Sequence, residues 1–432
     1  MLGRCGAGGS GSLSAVAQKV VPARGMRDVL PAEKQTRERV LAQLRTTYRR
    51  FGFAEIETPA IEPLSRLRSN QGGENESMLF EILKRGLAPD EPILPAEAAD
   101  LALRYDLTVP LTRYYASHQS ELPEVFRALQ TGSVWRAERP QKGRFRQFTQ
   151  VDIDILGEPG IVAEVDLLVA TLAAFADLGM AEDVTLLVND RRTLTALLAA
   201  AGFAEARVGD ALIALDKLDK IGPDAVADEL TALRAGHDAA AVRAVLDAVL
   251  AVRYDGEAAL AAGVLSLPGL VEVSLHDLPA IVAAVRQVLP SARVVLDPSL
   301  VRGMGYYTGP IFEVKHAKVG SSVAGGGRYD GVVGKWLGRD VPAAGFSIGF
   351  ERIIDLVEAA PPHGQRIGLL YAPGADVAHL LTTRAALQEQ GADVTLVRAP
   401  RKPSARFFDS LVEQGLSHVA DFPDGRVRPL GG

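Results

Sequence analysis

Residues 134–157, VWRAERPQKGRFRQFTQVDIDILG, constrain this chain more than any other stretch, because they crowd cations around one glycine and then settle into a strict two-residue alternation. Arg136, Arg139, Lys142, Arg144 and Arg146 surround Gly143. Ser133-Val134-Trp135 reads as an incoming strand, Pro140 and Gly143 as the turn, and Phe145 to Leu156 as the outgoing strand. Guanidinium forks grip phosphate oxygens in pairs, each charge-assisted bond being worth about 1.5–3 kcal/mol. With aromatic residues among the cations, the hairpin suits a polyphosphate that carries a planar base. A merely solvated basic turn would not account for the strand that follows. There Gln150, Asp152 and Asp154 alternate with Val151, Ile153 and Ile155, as the polar floor of a ligand site would.

At 432 residues and 47% hydrophobic content the chain can form two or three domains with full cores. A net charge of −6 excludes a bulk polycation, so contact with nucleic acid has to use local patches. The single cysteine, Cys5, permits no intramolecular disulfide and fits a reducing compartment. No apolar run is long enough to span a bilayer, so no membrane association is expected. The first twenty residues, with GAGGSGS and no acidic group, read as a flexible tail.

Along the chain, a helix is expected after Pro31, with Val40, Leu41, Leu44 and Tyr48 on one face, followed by a short strand from Ala54 that ends at Pro59. Strands are expected at Leu103–Thr108, Val134–Arg139 and Val184–Val188, and helices at Val109–His118 and Glu164–Leu178. Residues 21–202 form a first section. Residues 203–263, rich in alanine and leucine at helical spacing, read as a helical insertion. Strand character returns at Arg293 within a section ending near 360, and Pro361-Pro362-His363-Gly364 reads as a linker to a βαβαβ unit over 361–432.

Other segments bear on a site. In RYDLT, Arg104 to Thr108, Asp106 and Thr108 stand two apart, which on a strand puts a carboxylate and a hydroxyl on one face, fit to receive an ammonium group. In RGMGYYTGPIFEV, Arg302 to Val314, glycines flank Tyr306 and Tyr307, and strand alternation would send one tyrosine to the core and the other to the site. AGGGRYDG, Ala324 to Gly331, lacks the Lys-Ser/Thr of a phosphate loop and reads as backbone packed closely beneath the site. GFSIGFERI, Gly345 to Ile353, is a strand entering a helix with Arg352 in its first turn, where a cation opposes the helix dipole unless an anion lies nearby.

Taken together, these segments resemble the histidyl-tRNA synthetases of class II. The regions around Pro59, Arg136–Asp154 and Gly345–Ile353 are similar to the three class II signature motifs in their usual order. RGMGYYTGPIFEV, ERPQKGRFRQF and GMRDVLP resemble patterns particular to the histidine enzymes, from about Arg24 onward. The resemblance implies an α+β fold, an antiparallel sheet flanked by helices, with a helical insertion and a small C-terminal α/β domain. It implies ATP-dependent activation of histidine and its transfer to tRNA(His) by a cytoplasmic homodimer paired through motif 1, with Mg²⁺ carried by ATP and no metal site of the protein's own.

By the same resemblance Arg136 contacts the α-phosphate and the amino-acid carboxylate, Arg144 reaches the outer phosphates, and Phe148 and Arg352 sandwich adenine. Arg302 occupies the position of the catalytic cation, Asp106, Thr108 and Gln150 form the α-amino pocket, and Asp154 with the tyrosine pair Tyr306 and Tyr307 reads the imidazole. The C-terminal unit would bind the anticodon, with Arg398, Arg401, Lys402 and Arg406 as its basic cluster. Three departures stand out. Asp154 replaces a glutamate common in the family, Gly305 replaces an aspartate, and the C-terminal unit is shorter than the usual anticodon module. Two other readings remain. One is a noncatalytic paralogue resembling the regulatory subunit of ATP phosphoribosyltransferase, in which the ATP arginines are usually lost. The other is a histidine ligase acting on a carrier other than tRNA.

Overall fold

The structure, a computed structural model, describes residues 20–68, 78–87, 97–140, 144–234, 236, 238–253, 256–266, 272–302, 306–319, 322–357 and 364–430. Cys5 and the tail to residue 19, Lys142, Gly143, Gly303, Gly305 and Pro361–His363 lie outside these.

Helix α1 (Pro31–Arg50) starts on a proline, whose fixed φ suits the first helical position, and ends on Arg49 and Arg50, which complement the dipole. Its Val40, Leu41, Leu44 and Tyr48 are buried within this chain. After β1 (Ala54–Ile56) come β2 (Ile61–Pro63), α2 (Leu64–Arg68), β3 (Phe80–Leu83) and β4 (Ala99–Leu103); β2, β4 and β3 form a small antiparallel sheet. Helix α3 (Thr108–His118) leads to the hairpin β5 (Phe126–Trp135) and β6 (Gln147–Leu156). Helix α4 (Val162–Asp177), strand β7 (Val184–Asp190) and α5 (Arg191–Ala200) follow.

Four helices come next: α6 (Glu205–Leu215), α7 (Leu218–Leu233, kinked at Gly222-Pro223), α8 (Ala239–Val252) and α9 (Glu257–Ala262). Their apolar faces are continuous with the main core. Strands β8 (Val264–Ser266) and β9 (Glu272–Ser274) pair with each other, and α10 (Leu278–Val288) returns the chain to β10 (Val294–Leu296). Strands β11 (Pro310–His316) and β12 (Ser322–Arg328), helix α11 (Asp330–Leu337), strand β13 (Ala343–Gly349) and helix α12 (Phe350–Ile354) complete this part.

The main sheet has the order β1-β5-β6-β13-β12-β11-β7-β10. Its six central strands run antiparallel, with β1 and β10 added parallel at the two edges. The fold is therefore α+β. On the back, α4 lies against β6 and β13, α10 against β7, and α1 packs on α4. Val151, Ile153, Ile155 and Phe346 belong to this core. That leaves the opposite face for Gln150, Asp152 and Asp154, which register places beside Gly349, Ser347 and Gly345 of β13.

Arg328, at the end of β12, ties the sheet to α4 by donating Nε and Nη2 to Glu164 at 2.5 and 2.9 Å, with both side chains buried. Removing one partner of such a pair strands the other charge. Arg328→Met is therefore expected to destabilise the folded chain by about 3–5 kcal/mol, read as a lower midpoint in urea unfolding; a midpoint unchanged from the parent would contradict this role.

The last residues form a separate sheet, β15-β14-β16-β17, from β14 (Arg366–Tyr371), β15 (Asp393–Arg398), β16 (His418–Asp421) and β17 (Arg426–Pro429), with α13 (Val377–Glu389) and α14 (Ala405–Glu413). Ile367 and Leu369 pack with Leu380 and Leu387 of α13 on one face, and Leu370 packs with Leu411 of α14 on the other. Strand β17 extends the expected βαβαβ pattern; it carries one apolar residue, Val427, between two arginines, too little alternation to read as a strand. Among the described residues no helix is long and apolar enough to cross a membrane.

Candidate active site

The front of the main sheet opens into a cavity of about 430 Å³. Asp106, Thr108, Arg136, Arg144, Phe148, Gln150, Asp154, Arg302, Tyr306, Tyr307 and Arg352 all line it, so the structure brings every candidate residue to one place.

Four of them arrive by routes that alternation misjudges. Strand β4 stops at Leu103, so Asp106 and Thr108 are not on a strand; they sit where the chain turns into α3, and Asp106 Oδ1 caps that helix by accepting from Val109 N at 3.1 Å. Likewise β5 ends at Trp135 rather than Arg139. Tyr306 and Tyr307 precede β11, so nothing forces them to opposite faces. Both rings line the cavity, 4.7 Å apart.

At the inner end the cavity is acidic and acceptor-rich. Asp106, Gln150 and Asp152 are buried, and Asp106 Oδ2, Gln150 Oε1 and Asp152 Oδ1 have no hydrogen-bond partner within the protein. The unpaired acceptors of Asp106 and Gln150 suit an ammonium group, and leaving them unpaired is costly without one. Gln150 is oriented by donating Nε2 to Ser347 Oγ at 2.9 Å. Burial raises the Asp106 carboxyl to about 6 against the opposing bond from Val109. Burial, reinforced by the charge of Asp154, pushes Asp152 well above the carboxylate range. Asp154 is raised to about 7, again by burial, although Tyr329 donates its hydroxyl to Oδ1 at 2.6 Å.

Asp154 has its place only because residue 345 is a glycine. A Cβ at Gly345 would lie 1.9 Å from Asp154 Oδ1 and 3.1 Å from the Tyr329 ring. The same holds one strand over, where a Cβ at Gly325 would lie 2.6 Å from the Arg302 guanidinium carbon. The glycine run of β12 thus makes room for side chains reaching across it.

The outer end is cationic. Arg136 donates Nε to Tyr105 O at 3.0 Å and lies 5.1 Å from the Phe148 ring centroid. Arg144 pairs with Glu138 at 3.2 Å, and Arg302 with Glu313 at 3.0 Å. Arg352 donates to Ser322 O, and its neighbour Glu351 lies buried beneath it. An anion with several oxygens can be held here by groups fixed before it arrives.

The sequence reading left out Tyr329, Ser347, Glu351 and Glu313. Tyr329 and Ser347 act through partners brought close by sheet register, Glu351 through the distant Arg37 and Arg27, and Glu313 through Arg302 eleven residues earlier. The one local hint is Glu351 standing beside Arg352.

A family model described as histidyl-tRNA synthetase matches residues 25–353. A histidine–tRNA ligase of Leifsonia xyli subsp. xyli is 48% identical over 400 residues, covering 90% of this chain and 92% of that protein. A probable histidine–tRNA ligase of Tropheryma whipplei is 43% identical over 83% of this chain and 85% of its own length. The crystal structure of histidyl-tRNA synthetase from Nostoc sp. PCC 7120 superposes with a TM-score of 0.72 at 25% identity, over 95% of this chain and 96% of that one.

Proposed function

The chain belongs to the histidyl-tRNA synthetase family, and from that footing we propose how its cavity does the family's work. As a histidine–tRNA ligase it activates histidine with ATP and passes the histidyl group to tRNA. A histidine carboxylate oxygen attacks the α-phosphorus of ATP, the bond to the bridging oxygen breaks, and pyrophosphate leaves. A ribose hydroxyl at the 3′ end of tRNA(His) then attacks the activated carbonyl and releases AMP.

The nucleophile is already an anion, so the first step needs alignment and a preorganised positive field rather than a general base. Arg136 and Arg302 flank the α-phosphate, Arg144 holds the outer phosphates, and adenine slides between Phe148 and Arg352. The α-ammonium of histidine takes the acceptors of Asp106 and Gln150, beside Thr108. Asp154 accepts from an imidazole N–H, with Tyr306 and Tyr307 enclosing the ring. Mg²⁺ enters on the phosphates of ATP. Glu138 and Glu313 are each engaged by an arginine, which fits a metal held by phosphate and water rather than by a protein cage.

The observation that carries this reading is the convergence of eleven candidate residues, acceptors at one end and guanidinium groups at the other, on a single cavity. Charging of a tRNA(His) transcript with labelled histidine tests it. A charged product is expected. Histidine-dependent exchange without charging would instead favour a ligase acting on another carrier.

The same proposal includes residues 203–263 as an insertion, the unit after residue 361 as the anticodon reader, and a cytoplasmic homodimer. Arg398, Arg401, Lys402 and Arg406 are exposed, as phosphate contacts require. Exposed Ile61, Leu83 and Leu101 on the small sheet give the dimer an apolar surface to cover.

Histidine binding should depend on pH in a fixed sense. Asp154, raised to about 7, is about half protonated at pH 7 and Asp106, raised to about 6, carries little of the proton there, so the proton that a bound imidazole N–H displaces at pH 7 comes chiefly from Asp154. Binding at pH 7 is then expected to release protons, measured by calorimetry in buffers of different ionisation enthalpy, and the release should shrink in Asp154→Asn. Proton uptake at pH 7, or a release indifferent to that substitution, would contradict the assignment.

A further inference from the structure

Beside Arg352, four segments of the chain meet on one buried carboxylate that itself borders the cavity. Glu351 accepts at Oε2 from Arg37 Nη1 at 2.7 Å and from Arg27 Nη2 at 2.9 Å, and at Oε1 from Arg37 Nη2 at 2.7 Å and from the backbone N–H of Thr149 at 3.1 Å. Arg37 Nη2 also donates to Thr149 Oγ1 at 3.1 Å. Burial alone would raise Glu351, yet the bonds from Arg37 and Arg27 leave its carboxyl below the ordinary range, so it stays charged.

Arg27 extends the linkage outward. Its guanidinium pairs with Glu33 at 2.8 Å and lies 4.6 Å from the Phe145 ring centroid, while two residues earlier Gly25 O accepts from Arg146 N at 2.8 Å. The segment around Arg27 therefore touches the two residues that follow Arg144, and through Glu351 it is linked to Thr149. Thr149 is flanked by Phe148 and Gln150, and Glu351 by Arg352, all facing the cavity. Arg27 itself does not line that cavity.

We propose that Arg27 is a positioning residue: by gripping Glu351 and covering Phe145 it fixes the separation between the strand that carries Phe148 and the helix that carries Arg352, and so sets the slot for the nucleotide base. This rests on the reading of Phe148 and Arg352 as the two walls around adenine. Arg37 holds Glu351 by two parallel bonds and Arg27 adds a third through one nitrogen, so the carboxylate is fixed in direction as well as distance. An ordinary stabilising ion pair would have no reason to favour one substrate over the other; a device acting on this slot must.

The test is steady-state histidine-dependent pyrophosphate exchange with Arg27→Met, Arg27→Lys and Glu351→Gln. Losing a charge-assisted pair should raise the KM for ATP about tenfold in Arg27→Met. The KM for histidine should stay within about twofold and kcat within about threefold, since no group touching either reacting centre is changed. Arg27→Lys keeps the charge but not the fork, and its ATP KM should fall between those of Arg27→Met and the parent. Glu351→Gln should move in the same direction; if it does not fold, Arg27→Met decides, because it leaves the Arg37–Glu351 pair intact. An unchanged KM for ATP in Arg27→Met, or equal rises for ATP and histidine, overturns the proposal and leaves the reading of the site standing. A parent protein with no exchange overturns the reading of the site itself.

Discussion

Arg302→Ala is expected to lower kcat for histidine-dependent pyrophosphate exchange by about 10²–10³-fold, the loss that follows removal of one preorganised group from the charge developing at the reacting centre. Histidine affinity, followed by calorimetry without ATP, should change little. Glu313 holds the guanidinium at 3.0 Å and Gly325 leaves the space it occupies. Gly325→Ala, whose Cβ would lie 2.6 Å from the guanidinium carbon, should therefore reproduce much of the loss without touching Arg302. Exchange unchanged in Arg302→Ala would refute the role assigned to this arginine. Exchange lost together with histidine binding would move Arg302 from the phosphate to the amino acid.

The second large effect concerns selectivity. Asp154→Asn keeps the shape of the side chain and an acceptor for Tyr329, but turns an amide N–H₂ toward the imidazole donor. The affinity for histidine should fall about 10²-fold, because a buried donor is left unpaired. Gly345→Ala attacks the same carboxylate from behind. Its Cβ would lie 1.9 Å from Asp154 Oδ1, and residue 345 sits on a central strand between β6 and β12 with no freedom to retreat. In both variants the KM for ATP should change by less than about threefold, since Phe148 and Arg352 are untouched. Equal rises in both KM values would show that the substitutions loosen the sheet rather than the imidazole pocket.

Much of this was legible in the sequence. The two-residue alternation of Gln150, Asp152 and Asp154 made one polar face of an apolar strand, and all three side chains line the cavity. The glycines at 325–327 signalled close approach of backbone; Gly325 lies against Arg302, Gly327 against Tyr307 and Gly326 against the backbone of β13. Alternation failed where the chain is not a strand. Asp106 and Thr108 reach the cavity from a helix start, and both tyrosines enter from the stretch before β11.

What stayed hidden depends on sheet register, which no local pattern encodes. Asp154 faces Gly345 and Tyr329 only because β6 pairs with β13 and β13 with β12 in this alignment. The Arg27–Glu351–Arg37 linkage joins residues more than 300 positions apart, so nothing near either end announces the other. The apolar face of α1 was equally compatible with a partner subunit or with its own chain; its Val40, Leu44 and Tyr48 are covered from within.

The four arginines of the cavity also separate an enzyme from a histidine sensor. A sensor needs the acceptors at the inner end and has no use for Arg136, Arg144, Arg302 and Arg352 aimed at a polyphosphate. Exchange of labelled pyrophosphate into ATP, run with each of the common amino acids in turn, puts this to the test most directly. Incorporation that depends on histidine and on no other amino acid is the result the structure predicts. Histidine binding with no incorporation, or incorporation indifferent to the amino acid supplied, would contradict it.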